Sequence, residues 1–266
     1  MSSFHLARAM AVVWKDFLEL RKNKGLLYSM AALPIVIVVM PIGVVYAYVS
    51  RPDDGNLRVM AQYYDTTVQG RDAVHFLVEK VLNDWFVIYL VMPIFIPILI
   101  SSHAVAGEKE KRTLEPLLSS PVTPLELVVG KSLASLVPSV TICVMAFLLL
   151  CVGVDVVAAP LHQGLILPNG MWLFGVLVIA PLFAFFGNGV AVLISARVGD
   201  ARTAQQMSGL LVLPLIGLAA GQFGGWLKAG VAYYALIGFF VLLLDIGILL
   251  AARRLFDRER LMTRWG

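Results

Sequence analysis

Six long apolar runs are the main feature of the residue pattern. They cover residues 26–49, 85–106, 133–157, 171–196, 208–226 and 231–252. An α-helix needs about 17–25 predominantly apolar residues to cross a bilayer, and each run is long enough. The pattern therefore predicts an all-α integral membrane protein with six transmembrane helices and a short tail at residues 253–266.

The first 25 residues show a helical period instead of a continuous apolar run. The apolar positions share one face: Leu6, Met10, Val13, Trp14 and Phe17. The charged positions share the opposite face: Arg8, Lys15, Glu19 and Lys22. Because charge continues to Lys24 and no small-residue cleavage site follows, residues 1–25 predict an interfacial amphipathic helix on the membrane surface, not a signal peptide.

Five of the six runs contain proline. The positions are Pro34 and Pro41, Pro93 and Pro97, Pro138, Pro181, and Pro214. Each proline lacks an N–H and so leaves a carbonyl of its own helix without a donor. We expect these helices to be kinked, with neighbouring helices meeting the freed carbonyls.

The composition excludes an ordinary soluble domain. Hydrophobic residues make up 59% of the 266-residue chain and charged residues 14%, against roughly 45–50% and 25% in soluble domains. Cys143 and Cys151 lie eight positions apart in one predicted helix, about 12 Å along its axis. That separation exceeds disulfide reach, so both are predicted to be buried thiols.

The basic residues indicate the orientation of the chain. With both termini on the inner side, 16 Lys and Arg lie inside and 5 lie outside. Positive charge accumulates on the cytoplasmic side of membrane proteins, so both termini are predicted to be cytoplasmic. The net charge of +4 does not indicate nucleic-acid binding, because the basic residues border the predicted spans and form no patch interleaved with aromatic residues.

The largest outer loop covers residues 50–84. Its second half carries apolar residues spaced three and four apart: Val74, Leu77, Val78, Val81 and Trp85. This spacing predicts a short amphipathic helix that leads into the second span and lies on the surface of the bundle. A substrate-capturing element is the alternative.

The segment at residues 107–131, GEKEKRTLEPLLSSPVTPLELVVGK, differs from a plain inner loop. Charged residues open it, and a ridge of leucines follows. Thr123, Pro124 and Glu126 then have the spacing of an N-cap, a first helical residue and a capping box. The pattern predicts a cytoplasmic helix-turn-helix elbow between the second and third spans that docks a partner protein, with a passive connector as the alternative.

This segment resembles the motif between the second and third spans of ABC-type exporter permeases of the type-two family. The family pattern runs roughly E-[KR]-x-x-G-T-[LM]-E-x-L-L-x-[ST]-P-[VI]-[ST]-x-x-E-[IL]-x-x-G-K. The matching residues are Glu108, Lys109, Thr113, Leu114, Glu115, Leu117, Leu118, Ser120, Pro121, Val122, Thr123, Glu126, Leu127, Gly130 and Lys131. Arg112 stands where the family has glycine. The resemblance extends to KDFLELRKNKG near the N-terminus and to the second inner loop, RVGDARTAQQMSG.

The resemblance implies a six-span half-transporter that carries no ATPase of its own and is coupled to a separate ATP-binding subunit. ATP and Mg would be bound by that partner, and this chain has no phosphate-loop motif. The implied location is the inner membrane of a prokaryotic cell, and the implied assembly is a homodimer or a heterodimer with a related permease. The residues implied to couple to the ATPase are Gly107, Glu108, Glu110, Arg112, Thr113, Leu114, Glu115, Leu117, Leu118, Pro121, Thr123 and Glu126.

Small residues at intervals of four mark two of the runs. Gly217, Gly221 and Gly225 lie in the fifth run, and Gly43 with Ala47 lies in the first. Small residues at that spacing let helices approach closely. The resemblance places the first and fifth spans near the subunit seam, so these residues are predicted to form the seam. Packing within one subunit is the alternative.

Few polar residues lie deep in the runs. Asp245 is in the sixth and needs a partner or a watery cavity, which makes it a candidate for a functional site, with a hydrogen bond to a neighbouring helix as the alternative. Asn188, between two glycines of the fourth run, is a weaker candidate. Asp155 and His103 lie near span ends and are assigned structural or interfacial roles.

Other classes fit the pattern less well. A secondary transporter or channel not driven by ATP would suit six kinked spans, but the two halves of the chain show no inverted repeat. An intramembrane protease would need a motif such as H-E-x-x-H, which is missing, and the four histidines are scattered. We therefore expect no enzymatic activity and no metal site in this chain.

Overall fold

The computed structural model describes residues 5–66, 72–103, 106, 124–161, 164–227 and 230–255. All regular structure in these ranges is helical, and none of it is strand. Six helical segments are long and apolar enough to cross a membrane: Lys24–Val49, Ala73–Ser101, Val129–Leu161, Gly170–Arg197, Ala201–Phe223 and Val231–Ala251. We call them spans 1 to 6. The predicted fold class, an all-α membrane protein with six spans, is confirmed.

Some spans consist of more than one helix. The described α-helices, in chain order, are α1 (Leu6–Lys22), α2 (Lys24–Val49), α3 (Gly55–Tyr64), α4 (Asp72–Tyr89), α5 (Val91–Ser101), α6 (Pro124–Ala158), α7 (Gly170–Phe174), α8 (Ala180–Arg197), α9 (Ala201–Gly209), α10 (Leu213–Phe223) and α11 (Val231–Leu255). A π-helical turn, Gly175–Ile179, joins α7 to α8, and a 3₁₀ turn, Leu210–Val212, joins α9 to α10. Spans 4 and 5 therefore each change helical geometry along their length.

Span 2 is the centre of the bundle. Its most apolar stretch is 83% buried, against 22–44% in the other five spans. It contacts spans 1, 3, 4 and 5, whereas span 6 packs mainly on span 4. The other five spans leave most of their apolar stretches exposed on the outside of the bundle, as suits helices surrounded by lipid.

The predicted amphipathic helix before the second span is in fact the first half of span 2. α4 begins at Asp72, and Leu77 and Val78 are fully buried, so the expectation of a helix lying on the bundle surface is wrong. Two charged residues interrupt the apolar pattern in this part of span 2, and they pair with each other. Lys80 Nζ lies 2.6 Å from Asp84 Oδ2 and 4.2 Å from the centre of the Tyr64 ring. Pairing and a cation–π contact allow charge at this depth.

Several prolines coincide with the breaks in the spans. Pro181 follows the π-helical turn, Pro214 follows the 3₁₀ turn, and Pro93 follows the interruption at Leu90. In span 1, Pro41 leaves the carbonyl of Ile37 without its helical donor. The Trp85 indole N–H of span 2 donates to that oxygen at 3.0 Å. A neighbouring helix thus meets a freed carbonyl, as the sequence predicts.

An aromatic cluster fills the core at the end of the bundle away from α1. Trp172 lies at its centre, with ring centroids 4.9 Å from Phe86, 5.2 Å from Tyr89 and 5.8 Å from Phe147. Tyr234 of span 6 packs edge-on against Phe86 at 4.7 Å. Spans 2, 3, 4 and 6 therefore meet in this cluster. The two cysteines of span 3 are buried and free, as predicted.

Candidate coupling site at the α1 end

Most of the predicted elbow lies outside the described residues. This applies to eleven of the twelve coupling residues: Gly107, Glu108, Glu110, Arg112, Thr113, Leu114, Glu115, Leu117, Leu118, Pro121 and Thr123. The second elbow helix is described from Pro124 onward. It is helical from that residue and continues without interruption into span 3 as α6. What the structure does give is the surroundings of the elbow on both sides.

Glu126, the twelfth coupling residue, is fully buried and contacts the start of α1. Its Oε1 accepts a hydrogen bond of 2.7 Å from the backbone N–H of His5, the N-cap residue of α1. A carboxylate at a helix N-terminus is favourable because backbone N–H groups and the helix dipole both point positive charge there. The first turn of α6 therefore holds the beginning of α1.

Gly130 lies one turn further along α6, where the two helices touch. A Cβ atom at Gly130 would lie 2.8 Å from both the Ala9 carbonyl oxygen and Val12 Cβ, which is too close for any residue but glycine. Ala9 and Val12 are buried by this contact. The absence of a side chain at Gly130 thus determines how closely α1 approaches α6.

A third contact closes the interface toward the C-terminal half of α1. Lys131 Nζ lies 3.7 Å from Asp16 Oδ2, and the two side chains are only 6% and 16% exposed. We define the α1–α6 junction by these contacting residues: His5, Ala9, Val12 and Asp16 of α1 with Glu126, Gly130 and Lys131 of α6. It runs along about 16 Å of α1.

α1 consequently has three faces, one more than its sequence predicts. Leu6, Met10 and Trp14 of the predicted apolar face are 63%, 51% and 64% exposed, as suits a face directed at lipid. The face that packs on α6 carries Ala9 and Val12, whose small size gives little hydrophobic signal. Their spacing of three is a signal that the sequence does contain, and it is apparent once a partner helix is known.

The other end of the elbow is held by span 4. Ser195 Oγ accepts a hydrogen bond of 2.9 Å from the backbone N–H of Ala106 and donates one of 3.1 Å to the carbonyl of Ser102. Ser195 and Ser102 are fully buried. The chain therefore enters residues 107–123 from a position fixed on span 4 and leaves that segment at the α1–α6 junction.

Asn188, one of the two intramembrane polar candidates, joins three spans close to this end. Its Oδ1 accepts hydrogen bonds from Ser101 Oγ at 2.7 Å and from Ser135 Oγ at 2.6 Å. At the adjacent Gly187, a Cβ would lie 2.6 Å from the Ile94 carbonyl oxygen, so spans 2 and 4 meet backbone to backbone. Spans 2, 3 and 4 are thus linked by hydrogen bonds in a part of the bundle where such bonds have no competition from water.

The other polar candidate, Asp245, is placed differently. It is 4% exposed, and neither carboxylate oxygen has a hydrogen-bond partner among the described residues. Asp155 has the structural role expected for it, because its Oδ1 accepts hydrogen bonds from the backbone N–H groups of Ile166 and Leu167. Asp245 is therefore the unusual acid of the two.

The residues of the predicted dimer seam do not form one surface. Gly43 and Gly217 have nothing within 4 Å of a Cβ, and both lie open on the bundle surface with Ala47. Gly221 is buried against Leu227 of the same chain. Gly225 lies beyond the end of α10 in a turn with φ +75°, a conformation that favours glycine. For Gly221 and Gly225 the structure provides a role within one subunit.

Asp200, in the second inner loop, is the N-cap residue of α9. Its Oδ1 accepts a hydrogen bond of 2.8 Å from the backbone N–H of Thr203 and so caps α9, and this bond holds the pKa of the carboxyl below its usual range. In the described part of the chain, no group of three or more His, Cys, Asp or Glu residues is arranged to hold a metal ion.

Six helical spans, three of them interrupted near prolines, together with an amphipathic helix at one end, define a multi-pass membrane protein. The chain belongs to the ABC-2 family: the family described as "ABC-2 family transporter protein" matches residues 10–252. It is accordingly a membrane subunit of an ABC transporter, a class of subunit that is not itself catalytic and that works with an ATPase partner. No curated protein matches the chain.

Proposed function

We propose that this chain is a permease subunit of an exporter and that a separate ATP-binding subunit, carrying ATP and Mg, drives it through the elbow at residues 107–131. The observation that carries the proposal is that both ends of the elbow are held, by Ser195 at Ala106 and by the α1–α6 junction at residues 126–131. A segment that is fixed at both ends can pass a displacement to the helices that hold it.

The route of that displacement follows from the connections. A push on the elbow would act on span 3 directly, because the second elbow helix is continuous with it. It would act on span 4 through Ser195, and the hydrogen bonds of Asn188 would keep spans 2, 3 and 4 moving together. Rigid-body movement of such a group would open a pathway alternately to each side of the membrane.

In the proposed assembly two permease copies pair in the inner membrane of a prokaryote, with both termini in the cytoplasm. The basic residues support this orientation, since they are concentrated on the α1 side of the bundle. The open glycine surfaces at Gly43 and Gly217 support pairing through spans 1 and 5. A heterodimer with a related permease would use the same surfaces.

The docking part of the proposal is tested by a double substitution, Leu114→Ala with Leu117→Ala. The full-length permease is co-expressed with an ATP-binding subunit from the same genome, sought first in the neighbouring reading frames, and co-purification and ATP hydrolysis are measured. We expect the variant to insert normally and its apparent affinity for the ATPase to fall about 5- to 150-fold, the usual range of coupling between sites.

Leu165→Ala is the matched control, because Leu165 is 78% exposed at the opposite end of the bundle. Undiminished co-purification of the double variant would show that the elbow is not the docking site. Transport by the purified permease under an ion gradient, without ATP or the partner, would instead favour a secondary transporter.

A further inference from the structure

A groove of about 570 Å³ lies between spans 4 and 6 on the surface of the bundle. Its wall includes Leu177, Val178, Leu242, Ile246 and Leu249, all of them 42–66% exposed. Asp245 is the one polar residue among the described residues that line the groove. It lies six residues before the end of span 6, about 9 Å along the helix axis, in the half of the membrane nearer α1.

Spans 4 and 6 also touch at two glycines close to the groove. At Gly189, a Cβ atom would lie 2.5 Å from Ile248 Cγ2, and a Cβ at Gly238 would overlap the side chain of Ile179. These two close contacts flank Asp245 along span 6. The π-helical turn Gly175–Ile179 of span 4, a feature frequently found at functional sites, ends at the second of these contacts. Close packing at the two glycines thus fixes how spans 4 and 6 are placed around Asp245.

Asp245 has no partner in the chain that would explain its position. It is 4% exposed, and both carboxylate oxygens lack hydrogen bonds among the described residues. A carboxylate in apolar surroundings is costly unless a charge or a donor compensates it. Every other residue lining the groove is apolar, so no side chain of the groove can pair with a charged Asp245, whereas a cation bound there would.

We infer that the groove binds a lipophilic organic cation, with the apolar body against spans 4 and 6 and the positive centre beside Asp245. The open groove of about 570 Å³ has room for the apolar body of such a molecule, whose outer side stays in contact with the bilayer. A neutral acyl chain would leave the carboxylate uncompensated, and an anion would be repelled. A bare metal cation would need several oxygen ligands, and the groove offers only those of Asp245.

The described residues of a second copy do not offer the missing charge. Among those within the spans, Lys80 and Lys131 already form ion pairs with Asp84 and Asp16, and Lys24, Arg197 and Arg202 lie at span ends. No described cation is therefore available at the depth of Asp245. The binding site stands on the groove alone, whereas a role for the bound cation as cargo rests on the proposed transport function.

The test uses the purified full-length chain in nanodiscs of zwitterionic phosphatidylcholine, without ATPase or ATP. Binding of radiolabelled tetraphenylphosphonium is measured and corrected with empty nanodiscs, and tetraphenylborate serves as an anion of the same shape. We expect saturable binding of the cation, no competition by the anion, and a loss of affinity of at least about tenfold in Asp245→Asn. Asp245→Glu should restore most of the binding, because it keeps the charge.

Two further variants keep the result interpretable. Leu177→Trp narrows the groove but leaves Asp245 in place, and it should also weaken binding. Asp84→Asn removes a buried carboxylate that already has Lys80 as its partner, and it should leave binding unchanged. Equal affinity of wild type and Asp245→Asn, or equal binding of cation and anion, would overturn the inference. So would a Leu249→Cys cross-link to a second copy, because the groove would then be an interface. None of these outcomes depends on the ATPase, so the proposed coupling is judged separately.

Discussion

Gly130 of α6 and Ala9 of α1 lie so close that a Cβ atom on the glycine would be 2.8 Å from the alanine carbonyl oxygen. This approach brings Glu126 within hydrogen-bonding distance of His5 and Lys131 within 3.7 Å of Asp16. The three contacts are coupled, because displacing α1 at the glycine lengthens the other two. The junction therefore offers single positions at which the support of the elbow can be changed.

Gly130→Ala is expected to push α1 away from α6. The added methyl group meets backbone and a β-branched side chain, neither of which can yield easily, so we expect destabilisation of about 1–3 kcal/mol. ATPase activity that depends on the permease should fall with it. Unfolding in mixed micelles measures the first effect and hydrolysis by the assembled complex the second. Gly209→Ala is the control, since nothing lies within 4 Å of a Cβ there; equal effects of the two substitutions would contradict the close contact.

Glu126→Ala should release the start of α1 while leaving α6 intact. It removes the acceptor of the His5 N–H and with it a charge-assisted hydrogen bond, for which we expect a loss of about 1.5–3 kcal/mol. Glu126→Gln keeps an acceptor oxygen and should cost less. Proteolytic cleavage between α1 and span 1 reports release of α1 directly. Cleavage as slow in Glu126→Ala as in the wild type would show that the bond does not hold the helix.

Trp85→Phe tests whether a neighbouring helix compensates for Pro41. Losing the indole N–H should destabilise the protein by about 0.6–1.7 kcal/mol, the range of hydrogen bonds between membrane helices. In a Pro41→Ala background, Ile37 regains a helical donor, so the same substitution should cost clearly less. The measurement is a double-mutant cycle by denaturant unfolding. Purely additive effects would mean that the indole bond does not serve the proline.

Asn188→Ala should weaken the link between spans 2, 3 and 4. Ser101 loses its acceptor and Ser135 keeps only the Ser132 carbonyl, so we expect a loss of about 1–3 kcal/mol, with Ser101→Ala and Ser135→Ala each costing less. Unfolding of the purified chain gives the stabilities. Destabilisation by Asn188→Ala that is no larger than by either serine variant would show that the cluster does not act as one unit.

Cysteine cross-linking should separate the open glycines of the predicted seam from the packed one. In a background lacking Cys143 and Cys151, Gly43→Cys and Gly217→Cys are expected to form disulfide-linked dimers under mild oxidation. Gly221→Cys should not, because that position packs on Leu227 of its own chain. Absence of dimers at both open positions would place the seam elsewhere.

The number of spans and their class could be predicted from length and apolarity, but not every boundary. Span 2 begins twelve residues earlier than predicted, because Lys80 and Asp84 lower its hydropathy and only the folded chain shows them paired with each other. The helical conformation from Pro124 onward was predictable, since proline favours the first turn of a helix. The sequence was thus sufficient for predicting features that depend on residues within one helix.

The candidate sites were predictable only in part, because they depend on contacts distant in sequence. Asp245 stands out by charge in an apolar run, but the groove that it lines lies between two spans that only the folded chain brings together. Similarly, Ala9 carries no signal of a packing face until Gly130 is placed beside it. Gly221 matched a small-residue repeat, and its contact with Leu227 arises from a turn that the repeat does not reveal.

The hydrogen bond between His5 and Glu126 can form only some time after α1 has been synthesised. The two residues are 121 positions apart, so at usual translation speeds His5 is made roughly 6–24 s before its partner. During this interval α1 has no α6 to pack on, and its exposed apolar face leaves the bilayer surface as its natural resting place. α1 is therefore made first but reaches its final packing only after α6 has been made.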